Sequence, residues 1–141
     1  MRVLIDMNVI FDAVIRRVPY NNPAERLFLL IAGDRLKAYI TASSVTDIYY
    51  LLHRHFRDAD QAKQVLAKLF VLFEVLEVTQ SDCERALSLA MDDYEDALLA
   101  TCAKRKKLDM IITRNLHDFK DSPVKTIAPD EFIAHYFDEE G

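Results

Sequence analysis

Five short runs rich in apolar and β-branched residues punctuate this chain: "RVLID" (2–6), "AYITA" (38–42), "EVLEV" (74–78), "DMIIT" (109–113) and "VKTI" (124–127). Longer segments of helical character separate them: "NNPAERLFLLIAGD", "SSVTDIYYLLHRHF", "DADQAKQVLAKLFVLF", "SDCERALSLAM" and "YEDALLATCAKRKK". In the third, Val65, Leu66, Leu69, Phe70 and Phe73 fall on one helical stripe. Pro23, Asp58 or Asp60, Ser81, and Pro129 with Asp130 and Glu131 mark helix starts, the last for a helix running to Phe137, and Gly33 fits a helix end. Strands that alternate with helices demand a parallel sheet covered on both faces by right-handed crossovers. The expected fold is a three-layer α/β/α sandwich around a mostly parallel sheet of about five strands.

Half of the 141 residues are hydrophobic, and glycine and proline are scarce, with no repeat or low-complexity tract. That supports one core, so residues 1–141 are expected to form a single domain. No apolar run approaches the roughly 18 residues of a membrane span, and the start of the chain lacks the order of a signal peptide, which predicts a cytoplasmic protein. Cys83 and Cys102 lack paired spacing or a neighbouring histidine, and read as ordinary core or helix residues. The net charge of -5 and pI near 5.3 argue against nucleic-acid binding by bulk attraction. An acidic chain can still act on phosphodiesters when bound metal ions invert the local field.

In an open parallel sheet, ligands bind beyond the carboxyl ends of the strands. Asp6 closes the first predicted strand; Thr113, Arg114 and Asn115 follow the fourth, with Asp118 three residues on. Asp47 lies in the otherwise apolar "VTDIYYLL", just inside the helix after the second strand, where a lone charge is expensive unless paired. Asp92, Asp93, Glu95 and Asp96 crowd a helix start, where the dipole favours carboxylates. Capping explains several of them singly: Asp92 with Glu95, Asp93 with Asp96 and Ser44 with Asp47 all have capping-box spacing. Together they behave differently, because two carboxylates about 5 Å apart repel by roughly 3 kcal/mol at an effective dielectric near 20. Several on one rim call for a cation or shared protons. Oxygen donors without clustered histidine or cysteine point to Mg²⁺ or Mn²⁺, ions suited to in-line displacement at phosphorus.

The order "LIDMNVIFD", "TASSVTDIYYLL", "DYEDALLATCA", "DMIITRNLHDF" resembles the PIN-domain ribonucleases, many of which are toxins of bacterial and archaeal toxin–antitoxin pairs. The likeness spans nearly the whole chain. It implies a parallel-sheet fold and an acidic, Mg²⁺- or Mn²⁺-dependent site that cuts single-stranded or loop RNA. By motif position Asp6, Asp47 and Asp96 would be the metal-binding and catalytic acids, with Asp118 a less regular fourth. Asn8, Thr113 and Asn115 would orient ligands or water beside them. The family's second acid is most often glutamate, whereas this chain offers Asp47, shorter in reach by about 1.5 Å. A small antitoxin protein is the partner this implies, besides RNA, while the apolar stripe through Val65 and Phe73 exceeds what one small core needs and points to a homodimer or a partner protein.

Arg114 is the first candidate for a phosphate contact, then Arg16 and Arg17. "KRKK" (104–107) circles a helix and cannot form a basic stripe, so it reads as a charged helix end. His53 and His55 point to different helix faces, His117 reads as solvated, and Tyr49, Tyr50, Phe70 and Phe73 read as core or interface. Two other functions compete. In a haloacid-dehalogenase-type phosphatase Asp6 would be a covalent nucleophile, but Asn8 stands where an acid–base aspartate is needed. A catalytically inactive binding module would draw its support from the short Asp47.

Overall fold

The computed structural model describes residues 1–137. Along the chain these form β1 (Arg2–Ile5), α1 (Met7–Val14), α2 (Asn21–Ala32), β2 (Lys37–Thr41), α3 (Ala42–Phe56), α4 (Ala59–Leu72), β3 (Glu74–Leu76), α5 (Gln80–Ala86), α6 (Tyr94–Arg105), β4 (Met110–Ile112), β5 (Thr126–Ile127) and α7 (Pro129–Tyr136). The strands lie in the order β3-β2-β1-β4-β5, and every pair is parallel. This is the expected three-layer sandwich.

Strand periodicity divides the interior in two. Val3 and Ile5 of β1, Ala38 and Ile40 of β2, and Met110 and Ile112 of β4 enter one core, shared with α1 to α4 and α7. Leu4, Tyr39 and Ile111 enter the other, shared with α5 and α6. A strand buried on both faces reads as a continuous apolar run rather than an alternating one, which is why "VLI" and "MII" carry no polar residue. The chain winds from β1 outward to β3, returns across the other face and re-enters at β4. With right-handed crossovers, reversing the direction of winding moves the helices to the opposite face.

Helix ends depart from expectation in detail. Asp58, not Asp60, caps α4, accepting the N–H of Asp60 at 2.9 Å. The start of α5 lies ahead of Ser81: the Thr79 hydroxyl accepts from the N–H of Asp82, whose carboxylate accepts from the N–H of Thr79, a reciprocal pair that stops short at Ala86. Gly33 ends α2 with φ of -87°, while the left-handed residue is Asp34 at 58°. Arg105 of "KRKK" turns inward to the buried Asp82 at 2.9 Å, so no basic stripe forms. Of the expected stripe, Leu69 and Phe73, the latter capping the end of α4, are buried, but Phe70 remains exposed, as does its neighbour Val71. Both cysteines are free. Among the described residues no helix is long and apolar enough to cross a membrane.

Candidate active site

The winding reverses between β1 and β4, and a crevice opens there at the carboxyl ends of the strands. Asp6 follows β1 on one side and Thr113 follows β4 on the other. The Asp6 N–H donates to the carbonyl of Ile112 at 3.0 Å, extending the ladder by one step. The Thr113 hydroxyl, fully buried, donates to Oδ2 of Asp6 at 2.7 Å and accepts the N–H of Asn115 at 3.0 Å. That relay fixes the carboxylate of Asp6. Asp6 also stands at the N-terminus of α1, where the N–H groups of Met7 and Asn8 favour its charge without closing a formal side-chain cap. Only 6% of Asp6 is exposed, and burial pushes its carboxyl above the ordinary range against the pull of Thr113, Met7, Arg114 and Asn8.

Two more helices start at this rim. α3 leaves the end of β2, and α6 runs antiparallel to the strand it precedes, so its N-terminus also faces the crevice. Asp6, Asp47, Glu95 and Asp96 line one cavity of about 60 Å³, with Ser43, Ser44 and apolar walls from Ile5, Met7, Leu98 and Leu99. The capping pairs expected from spacing sort themselves out here. Asp93 caps α6 by accepting the N–H of Asp96 at 3.0 Å. Ser44 turns its hydroxyl to the carbonyl of Thr41 at 2.9 Å and pairs with no capping acid, which leaves Asp47 facing the cavity. A larger cavity, about 600 Å³, lies at the opposite rim among Leu36, Ala38, Phe70 and Phe73, away from these acids.

The remaining candidates are less central. Asp118 is exposed and lines a separate hollow with Asp92, Asp93 and His117, though its charge is felt at Asp96. Asn115 supports the site through its backbone. Asn8 is half-buried, and its carbonyl accepts from Arg17 at 3.2 Å. Arg114 is tied down: Nε and Nη2 donate to Oδ2 and Oδ1 of Asp12 at 2.6 and 3.2 Å, and its guanidinium lies 3.9 Å from the centre of the Tyr20 ring. Arg17 donates to the same Asp12 at 3.0 Å.

Two residues went unassigned by sequence reasoning. Glu95 is one of four acids crowded at a helix start, where dipole complementation and capping spacing account for it without a site. Asp12 carried no signal, because its arginine partners are 5 and 102 residues away.

The acids raise one another. Asp96 is pushed up to about 7, first by burial and then by the charges of Asp93, Asp6, Asp118 and Glu95. Glu95 is raised by burial and then by Asp47. For Asp96 the folded state keeps a proton that the unfolded chain releases near 3.8, so stability falls as pH rises from there to about 7. Asp82 works in another window: burial opposes its ionisation, but hydrogen bonds from Arg105 and Thr79 hold it below 3.8, and its contribution is lost only under that value. Melting of chelator-treated protein across the Asp96 window should show the melting temperature fall with pH, and Asp96→Asn should flatten the slope. A wild-type melting temperature that climbs through the window would contradict the raised carboxyl.

Among the described residues, no three His, Cys, Asp or Glu side chains stand close enough to hold an ion as placed. The donor set of the cavity is all oxygen, the kind a hard cation takes.

A family model described as "PIN domain" matches residues 2–117. A curated protein of Mesorhizobium japonicum, described as a probable flagellum biosynthesis repressor protein FlbT, is 26% identical over 97 residues; the match covers 64% of this chain and 65% of that protein's length. Among solved structures, VapBC2 from Rickettsia felis bound to a promoter DNA fragment superposes with a TM-score of 0.68 at 16% identity, over 91% of this chain and 98% of that one. FitAcB from Neisseria gonorrhoeae gives 0.67 at 19%, over 90% and 97%. A toxin–antitoxin complex from Klebsiella pneumoniae gives 0.65 at 19%, over the same shares.

Proposed function

Since this chain belongs to the PIN-domain family, we propose that it is an endoribonuclease dependent on Mg²⁺ or Mn²⁺, and the toxin of a toxin–antitoxin pair. The observation that carries the reading is the convergence of Asp6, Asp47 and Asp96 on one cavity at the switch point of the sheet. These three acids would hold the ion, and Asp118 would add negative charge from the far side of Asp96. The chemistry of the donors fits a hard cation. Bound there, the ion would polarise a phosphate and neutralise the charge that develops on it.

The other residues position these acids. Thr113 holds the Asp6 carboxylate in one orientation, and Asn115 holds Thr113. Asn8 and Arg114 flank the rim, where an RNA backbone would pass, and Arg114 also favours the ionised form of Asp6. The toxin–antitoxin complex from Klebsiella pneumoniae among the structural neighbours supports a small antitoxin partner. Exposed Phe70 and Val71 on α4 offer apolar surface for that contact or for a homodimer.

The test is cleavage of a mixed pool of structured RNAs by purified protein freed of any partner. Cutting is expected with Mg²⁺ or Mn²⁺ and none with EDTA. Folded protein that cuts nothing under either ion would overturn the reading in favour of an inactive binding module.

A further inference from the structure

The short acid of the candidate site has a longer one beside it. Asp47 is carried by α3 on one face of the sheet, and Glu95 by the first turn of α6 on the other. The two stand on opposite sides of the same rim. Both line the cavity that Asp6 and Asp96 line.

Glu95 is not behaving as an ordinary helix-start acid. The cap of α6 is already provided by Asp93, whose carboxylate accepts the N–H of Asp96. A carboxylate present only to complement the helix dipole does so equally well pointing into solvent. Glu95, though exposed, lines one small cavity with Asp6, Asp47 and Asp96, and gathering carboxylates there costs energy unless something positive joins them. Asp47 alone is one methylene short, about 1.5 Å, of what a glutamate on α3 would reach. Glu95 approaches the same space from the opposite layer with that methylene restored.

We propose that Glu95 is a metal-ligating residue acting jointly with Asp47, the pair supplying from two helices the oxygen donors that Asp47 alone is too short to provide. This rests on the nuclease reading of the same site. On this reading Asp6 beyond the central strand, Asp47 from one helical layer, and Glu95 with Asp96 from the other would supply the oxygen donors for the ion.

The test uses Mn²⁺ alone as probe, titrated into the full chain and followed by the electron paramagnetic resonance of the free ion and by melting temperature. Wild-type protein should bind Mn²⁺ and melt higher in its presence. Glu95→Gln should weaken binding by about tenfold or more, while its melting in chelator stays at or above the wild-type value because a like charge is gone. Asp47→Glu combined with Glu95→Gln should recover most of the lost affinity, which a merely structural role for Glu95 would not produce. Glu95→Ala serves the same comparison if glutamine disturbs the helix start.

Wild-type affinity in Glu95→Gln, alongside lost binding in Asp6→Asn, would overturn the proposal and leave the nuclease reading standing. No Mn²⁺ binding by the wild type, with Asp6→Asn indistinguishable from it, would remove both together.

Discussion

Asp6→Asn should reduce metal-dependent RNA cleavage by about three orders of magnitude, equivalent to roughly 4 kcal/mol of lost transition-state stabilisation. The same change should leave the metal-free protein at least as stable as the wild type. Both effects come from one carboxylate. Asp6 is almost wholly buried, held by Thr113, and close enough to Asp96 and Glu95 to raise both. An amide of the same shape keeps an oxygen for the Thr113 hydroxyl and removes the repulsion. Cleavage and stability are therefore expected to respond in opposite directions to this substitution, as at sites where charges are gathered for chemistry. Initial cleavage rates with Mg²⁺ or Mn²⁺, set beside melting in chelator, check the two halves separately. Cleavage within tenfold of wild type would exclude Asp6 as a metal ligand. Lost cleavage accompanied by a lower melting temperature would make Asp6 a structural acid.

The fold was legible because its signals are local and redundant. Runs such as "VLI" and "MII" read as buried strands, and the alternation with helices leaves little choice but a parallel sheet. Asp6 and Asp47 were legible for a related reason: a charge in an apolar setting is conspicuous. What sequence could not supply was adjacency. That β1 and β4 are neighbours, and so that Thr113 meets Asp6 across 107 residues, depends on where the winding reverses. Helix starts crowded with polar residues were hard for the opposite reason. Ser44 and Asp47 have capping-box spacing, but Ser44 found a carbonyl three residues back; Thr79 and Asp82 form the reciprocal pair that was not foreseen. Competition among several good caps is decided by differences too small for spacing to resolve. Arg114 illustrates the limit most clearly. Beside the site in sequence it suggested a phosphate contact, yet its guanidinium is engaged by an aspartate a hundred residues earlier.

Asp12→Ala is the substitution expected to destabilise the protein most among these. Asp12 has no exposed surface and receives Arg114 through two nitrogens and Arg17 through a third. Removing one partner of a buried ion pair typically costs about 3–5 kcal/mol, because the other is left without compensation. The Arg17 side chain is 41% exposed and recovers water, whereas Arg114, at 24%, is trapped between the vacated position and Tyr20. The lower end is therefore expected, about 3 kcal/mol, or a drop near 10 °C in melting temperature for a domain of this size. Deleting Arg114 together with Asp12 should cost less than the sum of the two single changes, since the orphaned cation goes too. Arg114→Lys then separates anchoring from substrate contact. Lysine keeps the charge but cannot bridge both oxygens of Asp12 or stack flat on Tyr20. If anchoring is the main duty, Arg114→Lys melts lower while the protein that remains folded cuts RNA at near the wild-type rate. An unchanged melting temperature with weakened cleavage would return Arg114 to the phosphate-binding role its position in the sequence suggested.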